Sequence, residues 1–324
     1  MPVRNGGRYL EPAVESILGQ TFADFEFVIV NDGSTDATPD VLRRYQAADP
    51  RVRVIHQEKA GLVASLNRGC GHARAAYIAR MDADDVAFPE RFARQVEFLD
   101  LHPAVAVVGS AVVRIDATGR EIKRNICPTT HAAIVEALRE YTCFTHPSVM
   151  LRAEALAAVG GYRPAYRSAE DYDLWVRLSE RYELANLPDP LLYYRVFPGQ
   201  VSVRQLDQQV LSVVGARAAA RQRALTGSDR TPADELITPG LLGEWGVPET
   251  TLADAMGHGY RYAAYVMLQV GHVDEAIDLL RTGRRLSKDR GGLGAMLASA
   301  CSKQARTALL EGRFAAGLRW GIEA

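Results

Sequence analysis

Cysteine is scarce in this sequence, and its few copies are scattered. The four cysteines form no C-x-x-C pair and stand at positions Cys70, Cys127, Cys143 and Cys301. This spacing argues against a zinc site or a disulfide framework and fits a reducing compartment. The chain also lacks any apolar run near the ~18–20 residues that span a membrane, and its first residues, MPVRNGGRYLEP, carry no apolar signal-peptide region. We therefore expect a cytoplasmic protein.

An excess of charge of one sign is missing as well. The 38 Lys and Arg residues nearly balance the 39 Asp and Glu residues, which leaves a formal net charge of −1 over 324 residues. No global field would attract nucleic acid, so none is expected as a partner. With 48% hydrophobic and 24% charged residues, the composition is that of an ordinary globular protein. The length predicts two domains, or one large domain with a smaller one.

What the sequence does contain is an alternation of strand-type and helix-type segments over its first 203 residues. Phe25–Val30 is a continuous apolar run, typical of a strand buried on both faces of a parallel sheet. Further strands are predicted at 51–57, 76–81 and 104–115, helices at 38–50, 61–76 and 89–103, and a hairpin turn at 116–121. The alternation predicts an α/β fold with a mostly parallel sheet flanked by helices.

The sequence changes in character near residue 205. Residues 205–324 contain almost no strand pattern, and the segments 260–286 and 302–321 are typical of helical hairpins. Gly271 and Gly312 mark similar turns 41 residues apart, a weak likeness to tetratricopeptide pairs, which have a different spacing. We predict two domains, residues 1–204 and an all-α region at 205–324.

Three aspartates follow a predicted strand within four positions, in YIARMDADDVAFPERF: Asp82, Asp84 and Asp85. Like charges this close repel by ~1 kcal/mol per pair in water and by more in a partly buried site, so a positive partner is expected among them. An EF-hand calcium loop is excluded, because it needs Gly at its sixth and Glu at its twelfth position, and these positions, counted from Asp82, hold Ala87 and Ala93. Helix capping ahead of Pro89 explains only one aspartate. A divalent cation that binds a substrate diphosphate explains the group better.

A second polar cluster, NDGSTD, follows the predicted strand Phe25–Val30. The carboxyl ends of strands are where α/β proteins bind ligands, and Gly33 would let the chain turn sharply there. In this interpretation Asp32 accepts hydrogen bonds from a base or a ribose. The alternative is a simple turn with a helix cap, since Asp, Gly, Ser and Thr all favour turns.

The third acidic cluster lies in SAEDYDLWVRLSERY, which is typical of a helix start. One interpretation is structural: Ser168 caps the helix, and Glu170 and Asp171 interact favourably with the helix dipole. Helical spacing, however, puts Asp171 on the apolar face with Trp175 and leans Glu170 towards Arg177. A partly desolvated Asp171 would have a raised pKa and could serve as a general base.

In this order the three clusters resemble the family 2 glycosyltransferases, which have the GT-A fold and usually invert the anomeric centre. The resemblance covers about residues 1–203 and rests on six stretches: MPVRNGGRYLEPAVESILGQTFADFEFVIVNDGSTD, GLVASLNRG, YIARMDADD, FTHPSVMLRAEALAAVGGY, AEDYDLWVRL and LLYYRV. It implies Mn²⁺ or Mg²⁺ at a DxD-type site, a nucleotide-diphosphate sugar donor that is expected to be UDP-linked, and a glycan or lipid-linked acceptor. It also implies a role in bacterial surface polysaccharide synthesis.

The resemblance assigns a role to each matching residue. For the nucleotide-sugar it implies contacts from Pro2, Arg4, Asp32, Asn67, Asp82 and Asp84. Asp84, with Asp82, would hold the metal, and Asp171 would deprotonate the acceptor hydroxyl. The acceptor side would be bordered by His146, Glu170 and Trp175.

Three features depart from the family pattern. The chain starts at Met1, inside the end of the family's first strand, so that strand is expected to be truncated. Leu66 stands where the family often has Arg, which leaves Arg68 as the candidate substitute. Phe197 stands where relatives often have His, so the cation would rely on Asp84 and the phosphates.

Two other functions remain open on the sequence alone. A nucleotidyltransferase would use RNGGR as a phosphate loop but leaves Asp171 unexplained. A degenerate GT-A domain would serve as a scaffold for the helical region. Helical spacing also aligns a basic stripe that is either a solvated face or a peripheral contact with the inner membrane surface: Arg281, Arg284, Arg285 and Lys288.

Overall fold

The protein is described here by a computed structural model that covers residues 1–287 and 290–310. Lys288 and Gly312, of the predicted stripe and turn, lie outside the described residues. The chain divides into two compact units. The first unit holds Met1–Arg195 and Thr231–Glu235, and the second holds 196–230 with the described residues from Leu236 onward. The boundary expected at residue 204 stays a prediction.

A small parallel sheet opens the first unit. Its strands are β1 (Pro2–Val3), β2 (Phe27–Asp32) and β3 (Val52–Gln57), in that spatial order. Its helices are α1 (Leu10–Leu18), α2 (Thr38–Ala48) and α3 (Leu62–His72). The apolar run forms the middle strand because both faces are covered, and Ile29 and Val30 are at most 1% exposed. All three strands therefore end at the same edge of the sheet.

A second sheet completes the first unit. Its strands are β4 (Tyr77–Ala79), β5 (Val86–Ala87), β6 (Val105–Ile115), β7 (Glu121–Asn125), β8 (Met150–Arg152) and β9 (Glu183–Arg195). They run in the order β4-β8-β6-β9-β5, with β7 also paired to β6. Helices α4 (Arg91–Leu101), α5 (His131–Leu138), α6 (Ala153–Ala158) and α7 (Glu170–Ser179) accompany them.

The expected α/β class is confirmed, but the mostly parallel pairing holds only for the small sheet. In the second sheet β6 and β9 are parallel, whereas β4–β8, β5–β9, β6–β7 and β6–β8 are antiparallel. One cause is the tight turn between β6 and β7, in which the Asp116 N–H donates to the Arg120 carbonyl (3.0 Å). Such a turn can join only antiparallel strands, since parallel strands need a long crossover.

The described part of the second unit is helical and contains no strand. Its helices are α8 (Val201–Arg204), α9 (Leu206–Thr226), α10 (Pro239–Glu244), α11 (Glu249–Gln269), α12 (Val273–Leu286) and α13 (Arg290–Leu310). As expected, α11 and α12 meet at a turn where Gly271 has a φ of +85°. Across the described ranges, every helix is too short or too polar to cross a membrane.

A buried arginine on α4 fixes the strand end that precedes the acidic loop, the segment that carries Asp82, Asp84 and Asp85. Arg91 is fully buried, and its Nη2 donates to the carbonyls of Arg80 (2.7 Å) and Val149 (3.1 Å), while its Nε donates to Gln95 Oε1 (3.1 Å). The Arg80 N–H in turn donates to the Val149 carbonyl (2.9 Å). Arg91 thus ties β4 and the start of the acidic loop to the segment that leads into β8.

We expect Arg91→Met to lower the free energy of unfolding by about 3 kcal/mol, because the substitution removes the guanidinium donor of the buried Arg80 carbonyl and one of the two donors to the Val149 carbonyl. Urea denaturation followed by circular dichroism measures this. The matched control is Arg94→Met on the same helix, whose ion pair with Asp189 is exposed on both sides (42% and 51%) and should change stability by less than about 1 kcal/mol. Equal losses in the two variants would contradict the assignment.

Candidate active site

Asp32 ends the middle strand of the small sheet and is buried. Its Oδ1 accepts hydrogen bonds from Gln57 Nε2 (2.7 Å) and the Ala60 N–H (2.7 Å), and its Oδ2 accepts from the Gly61 N–H (2.9 Å). Burial alone would raise the pKa of Asp32, but these hydrogen bonds and the charge of Arg4 outweigh burial and lower it. Asp32 is therefore an ionised, acceptor-only group at neutral pH.

The rest of the NDGSTD cluster builds the turn that the sequence allowed as an alternative. Asn31 Oδ1 accepts from the Ser34 N–H (3.2 Å), and Asp36 Oδ1 accepts from the Thr38 N–H (3.0 Å). Gly33 adopts a φ of +63°, and a Cβ there would lie 2.8 Å from the backbone nitrogen of Lys59. These residues shape the turn, whereas Asp32 points to the loop after β3.

Pro2 and Arg4 lie at the end of the neighbouring strand. In β1, Pro2 pairs with Val30 and Val3 pairs with Asn31. Arg4 follows directly and is exposed, and its charge acts on Asp32. The three residues expected to contact the nucleobase therefore meet at one edge of the sheet.

The three aspartates of the acidic loop lie close to the buried guanidinium of Arg80. Asp82, Asp84 and Asp85 each offer an oxygen within 4.8 Å of the others. Arg80, which is 6% exposed, forms an ion pair with Asp82. Asp85 is 1% exposed; its Oδ1 accepts from the Arg195 N–H (2.7 Å), while its Oδ2 has no hydrogen-bond partner among the described residues.

The positive charge of Arg80 does not neutralise the combined negative charge of the acidic loop. Burial and, next to it, the charge of Asp82 raise the pKa of Asp84 to about 6. Burial, followed by the charges of Asp84 and Asp82, raises the pKa of Asp85 well above its usual range. Arg80 lowers both values but does not reverse the shifts. The carboxylates therefore favour the approach of further positive charge.

Arg195, the last residue of β9, holds the acidic loop in place. Besides its N–H bond to Asp85, its Nε donates to the Asp84 carbonyl (2.8 Å) and its Nη1 donates to the Asp116 carbonyl (3.0 Å). The guanidinium also stacks over the Tyr9 ring at 4.4 Å from its centroid. These contacts join the acidic loop to the turn after β6 and to the N-terminal segment.

Helix α7 carries the third acidic cluster, and Ser168 does not cap it. The N-cap is Ala169, without a side-chain capping bond, and Ser168 has a φ of +66°. Asp171 keeps part of its surface exposed, whereas Glu170 is 4% exposed and Asp173 is fully buried. The sequence predicts that Asp171 points inwards and that Glu170 lies to the side. This prediction is wrong, because Glu170 is more deeply buried than Asp171 and α7 is covered on every face from Tyr172 to Leu178.

The acids of α7 and those of the acidic loop belong to one electrostatic cluster. Burial raises the pKa of Glu170 to about 7, and the charge of Asp171 contributes in the same direction. Burial also raises the pKa of Asp171. Arg80 lowers both pKa values and Asp82 raises both, so two clusters that are 89 positions apart (82 and 171) interact around Arg80.

His146 and Trp175 lie together beneath the start of α7. Their rings are 5.8 Å apart in an edge-on arrangement, and His146 Nε2 is 2.9 Å from the hydroxyl of Tyr162. Burial, with the charge of Arg80, lowers the pKa of His146 well below its usual range, so the ring is neutral. Trp175 is fully buried, and its Nε1 has no hydrogen-bond partner among the described residues.

Asn67, on α3, is half-buried and bonds to the backbone of Tyr162. Its Nδ2 donates to the Tyr162 carbonyl (2.7 Å), and its Oδ1 accepts from the Tyr162 N–H (2.9 Å). Leu66 is buried, and Arg68 is exposed, with its Nη1 3.3 Å from Gln57 Oε1. Since Gln57 donates to Asp32, Arg68 lies on the Asp32 side of the helix.

Two other expectations concern the second unit. Phe197 belongs to it, and Gln200 Oε1 accepts from the Phe197 N–H (3.2 Å). In the predicted basic stripe, Arg284 and Arg285 are exposed, and Arg281 pairs with Asp278 at 3.3 Å.

Sequence reasoning missed Arg80, Arg195 and Tyr162. Arg80 stands two positions before the aspartates, and a search for the cation that they require would have found it. Arg195 lies inside LLYYRV and Tyr162 ends FTHPSVMLRAEALAAVGGY, so both were within the recognised stretches. No local sequence signal marks Arg195 or Tyr162, because the residues that they contact are far away along the chain.

Comparison with solved structures supports the fold. The crystal structure of S. aureus TarS, residues 1–349, superposes with a TM-score of 0.56 over 99% of this chain and 88% of that chain, at 16% identity. This likeness confirms a GT-A-type architecture.

Sequence comparisons identify the family as well as the fold. A family model described as "Glycosyl transferase family 2" matches residues 1–160. The putative glycosyltransferase EpsE of Bacillus subtilis is 32% identical over 71% of this chain and 83% of its own length. The amylovoran biosynthesis glycosyltransferase AmsE of Erwinia amylovora is 33% identical over 60% and 74%, and the O-antigen biosynthesis glycosyltransferase WbnJ of Escherichia coli is 30% identical over 70% and 89%. With matches of this extent, and with its acidic clusters gathered around Arg80, the chain belongs to glycosyltransferase family 2.

Proposed function

We propose that this enzyme transfers a sugar from a UDP-linked donor to a hydroxyl group of a glycan or lipid-linked acceptor, with inversion at the anomeric carbon. The observation that carries the proposal is the joint cluster of the acidic loop and the α7 acids around Arg80. AmsE and WbnJ carry amylovoran and O-antigen biosynthesis in their names. Their similarity supports bacterial surface polysaccharide assembly as the pathway. We assign the transfer to residues 1–204.

The donor base is inferred from Asp32. An ionised carboxylate only accepts hydrogen bonds, so it selects a base that presents a ring N–H. Uracil, thymine and guanine have such a group, whereas cytosine and adenine do not. Pro2 and Arg4 lie beside Asp32 and would border the base. Arg68, which contacts Gln57, is the nearest cation on α3 and would stand in for the arginine that Leu66 replaces.

The acidic loop has the properties of a divalent-cation site. Its donors are all oxygens within 4.8 Å, a buried Asp85 oxygen lacks a partner, and the loop retains excess negative charge after pairing with Arg80. Hard cations such as Mn²⁺ and Mg²⁺ prefer this donor set. Asp84, with Asp82, would hold the ion. When bound, it supplies charge neutralisation to the leaving diphosphate.

Asp171 is the proposed base. It takes the proton of the acceptor hydroxyl, whose oxygen forms a bond to the anomeric carbon from the side opposite the diphosphate. The bond from that carbon to the diphosphate oxygen breaks, and the nucleoside diphosphate leaves with the electron pair. Asp171 suits this role because it is partly exposed to an acceptor, while burial raises its pKa towards a basic group's useful range.

Release of nucleoside diphosphate from a panel of UDP-, dTDP-, GDP- and CDP-sugars tests the donor and metal assignments. We expect Mn²⁺-dependent release from a UDP-sugar, loss of release with EDTA, and a decrease of at least about 100-fold in Asp84→Ala, because the leaving charge is no longer neutralised. Asp24→Ala, at an exposed aspartate, is the matched control and should keep wild-type activity. Release that is unaffected by EDTA would contradict the metal site, and preference for a CDP-sugar would contradict the role of Asp32.

Replacing the base should remove turnover without removing donor binding. We expect Asp171→Asn to lower kcat by about 10²- to 10⁴-fold while the Kd for UDP changes less than twofold. Glu170→Gln is the comparison, because it neutralises the neighbouring acid while conserving its shape. A loss confined to Glu170→Gln would transfer the role of base to Glu170.

The pH profile follows from the direction of the Asp171 shift. The base must be deprotonated, and burial raises its pKa, so activity should fall as the pH drops through that raised value rather than near the 3.8 of an ordinary aspartate. The acid limb of kcat/KM against pH measures this. An acid limb at or below pH 4 would contradict a desolvated base.

A further inference from the structure

The Asn67 amide and the Tyr162 backbone form a closed pair of hydrogen bonds between segments 95 residues apart, at 2.7 and 2.9 Å. We call this pair the Asn67 clasp. The clasp needs the glycine that precedes Tyr162. Gly161 has a φ of +69°, and a Cβ there would lie 2.9 Å from Asn67 Oδ1. Any side chain at position 161 would therefore meet both backbone strain and the Asn67 oxygen.

The same loop is held from the opposite side by α7. Arg177 donates from Nη1 to the Val159 carbonyl (2.5 Å) and from Nη2 to the Gly161 carbonyl (2.7 Å). The fully buried Asp173 pairs with both Arg177 and Arg163. Segment 159–163 is thus fixed between α3, through the clasp, and α7, which carries Asp171.

The side chain of Tyr162 contacts His146 in the interior. Tyr162 is 3% exposed, and its hydroxyl is 2.9 Å from His146 Nε2. The His146 ring packs edge-on against Trp175, one helical turn beyond Asp171. A displaced Tyr162 backbone would therefore disturb the His146 ring and its packing against Trp175 of α7, the helix that carries Asp171.

The other end of α3 belongs to the donor side. The N–H groups of Ala60 and Gly61, directly before the helix, donate to Asp32, and Gln57 Nε2 donates to both Asp32 and Ser65 Oγ (3.0 Å). These contacts do not involve Asn67. The contacts on the donor side therefore lie before and at the start of α3, whereas the clasp is formed by a different residue of the same helix.

We propose that Asn67 is a positioning residue for the transfer step: it holds Tyr162, and through it His146, on the acceptor side and does not bind the nucleotide. This proposal rests on the proposed function for the meaning of donor and acceptor side. Both polar atoms of its amide are engaged by backbone groups, so its removal frees the loop rather than the nucleotide.

The test compares Asn67→Ala and Gly161→Ala with wild type, and uses His72→Ala, at an exposed position of the same helix, as the matched control. Hydrogen–deuterium exchange by mass spectrometry follows the peptide that contains Tyr162, with the α4 peptide (91–101) as the reference for global stability. Isothermal titration with UDP and MnCl₂ gives nucleotide affinity. Release of UDP from a UDP-sugar gives kcat and KM.

We expect both clasp variants to exchange the Tyr162 amide at least about tenfold faster with the α4 peptide unchanged, since the acceptor of that N–H is lost or displaced. In both, kcat should fall about tenfold, while the Kd for UDP and the KM for the donor stay within twofold. His72→Ala should leave the exchange of the Tyr162 peptide, the Kd for UDP and kcat unchanged. The agreement of two variants that break the clasp from opposite sides separates positioning from an accidental folding defect.

A tenfold weaker Kd for UDP in Asn67→Ala, with unchanged exchange at Tyr162, would overturn the proposal and restore Asn67 as a nucleotide contact. Faster exchange in every peptide, with kcat and KM both altered, would reduce Asn67 to a general structural role and also overturn it. Absence of UDP release in the wild type would instead defeat the proposed function, while the exchange of the Tyr162 peptide would still decide whether Asn67 holds the loop.

Discussion

The architecture of the site depends on the charge balance around the buried guanidinium of Arg80. Arg80 is almost inaccessible to solvent, and burying a charged group is costly unless opposite charges or hydrogen-bond acceptors lie around it. Here the carboxylates outnumber it, so the protein folds with a local excess of negative charge at a strand end. That excess is costly in isolation and becomes useful when a cationic ligand or a diphosphate-bound ion arrives.

Backbone contacts from distant segments keep this balance in place. Arg91 anchors the carbonyl of Arg80 from α4, and Arg195 anchors Asp84 and Asp85 from the end of β9. Each contact uses a guanidinium or an N–H group that is itself buried, so the acidic loop cannot relax outward to relieve its own repulsion. The strands matter to function mainly because they bring these anchors to the same place.

Sequence periodicity predicted most of the first unit's elements, because long apolar runs and proline-marked helix starts are local signals. Val105–Ile115 and Arg91–Leu101 fall within predicted segments, and the strand Phe27–Asp32 overlaps the predicted Phe25–Val30 but extends two residues beyond it. Strand direction in the second sheet was not predictable in the same way, since it depends on which strands meet. The same holds for the site: the acids are visible as clusters and Arg80 stands two positions before them, whereas Arg195 and Tyr162 act through partners tens of residues away.

The position of Asp171 shows the limit of helical spacing. Periodicity identifies one apolar face, but Tyr172–Leu178 are buried on all faces of α7 and the first residue, Glu170, is buried as well, so Glu170 and Asp173 are more deeply buried than the residue expected to point inwards. Asp173 then pairs with two arginines. A helix that looks amphipathic in sequence can therefore carry a buried ionic network on the side expected to face water.

The Asn67 clasp has a consequence for how such an enzyme diversifies. It contacts only the backbone of residue 162, so it does not itself restrict the side chain at that position. The restriction comes from the interior, where the buried Tyr162 ring and hydroxyl lie against His146. Diversification at position 162 would therefore require a matching change at position 146, while the backbone support from α3 could stay the same.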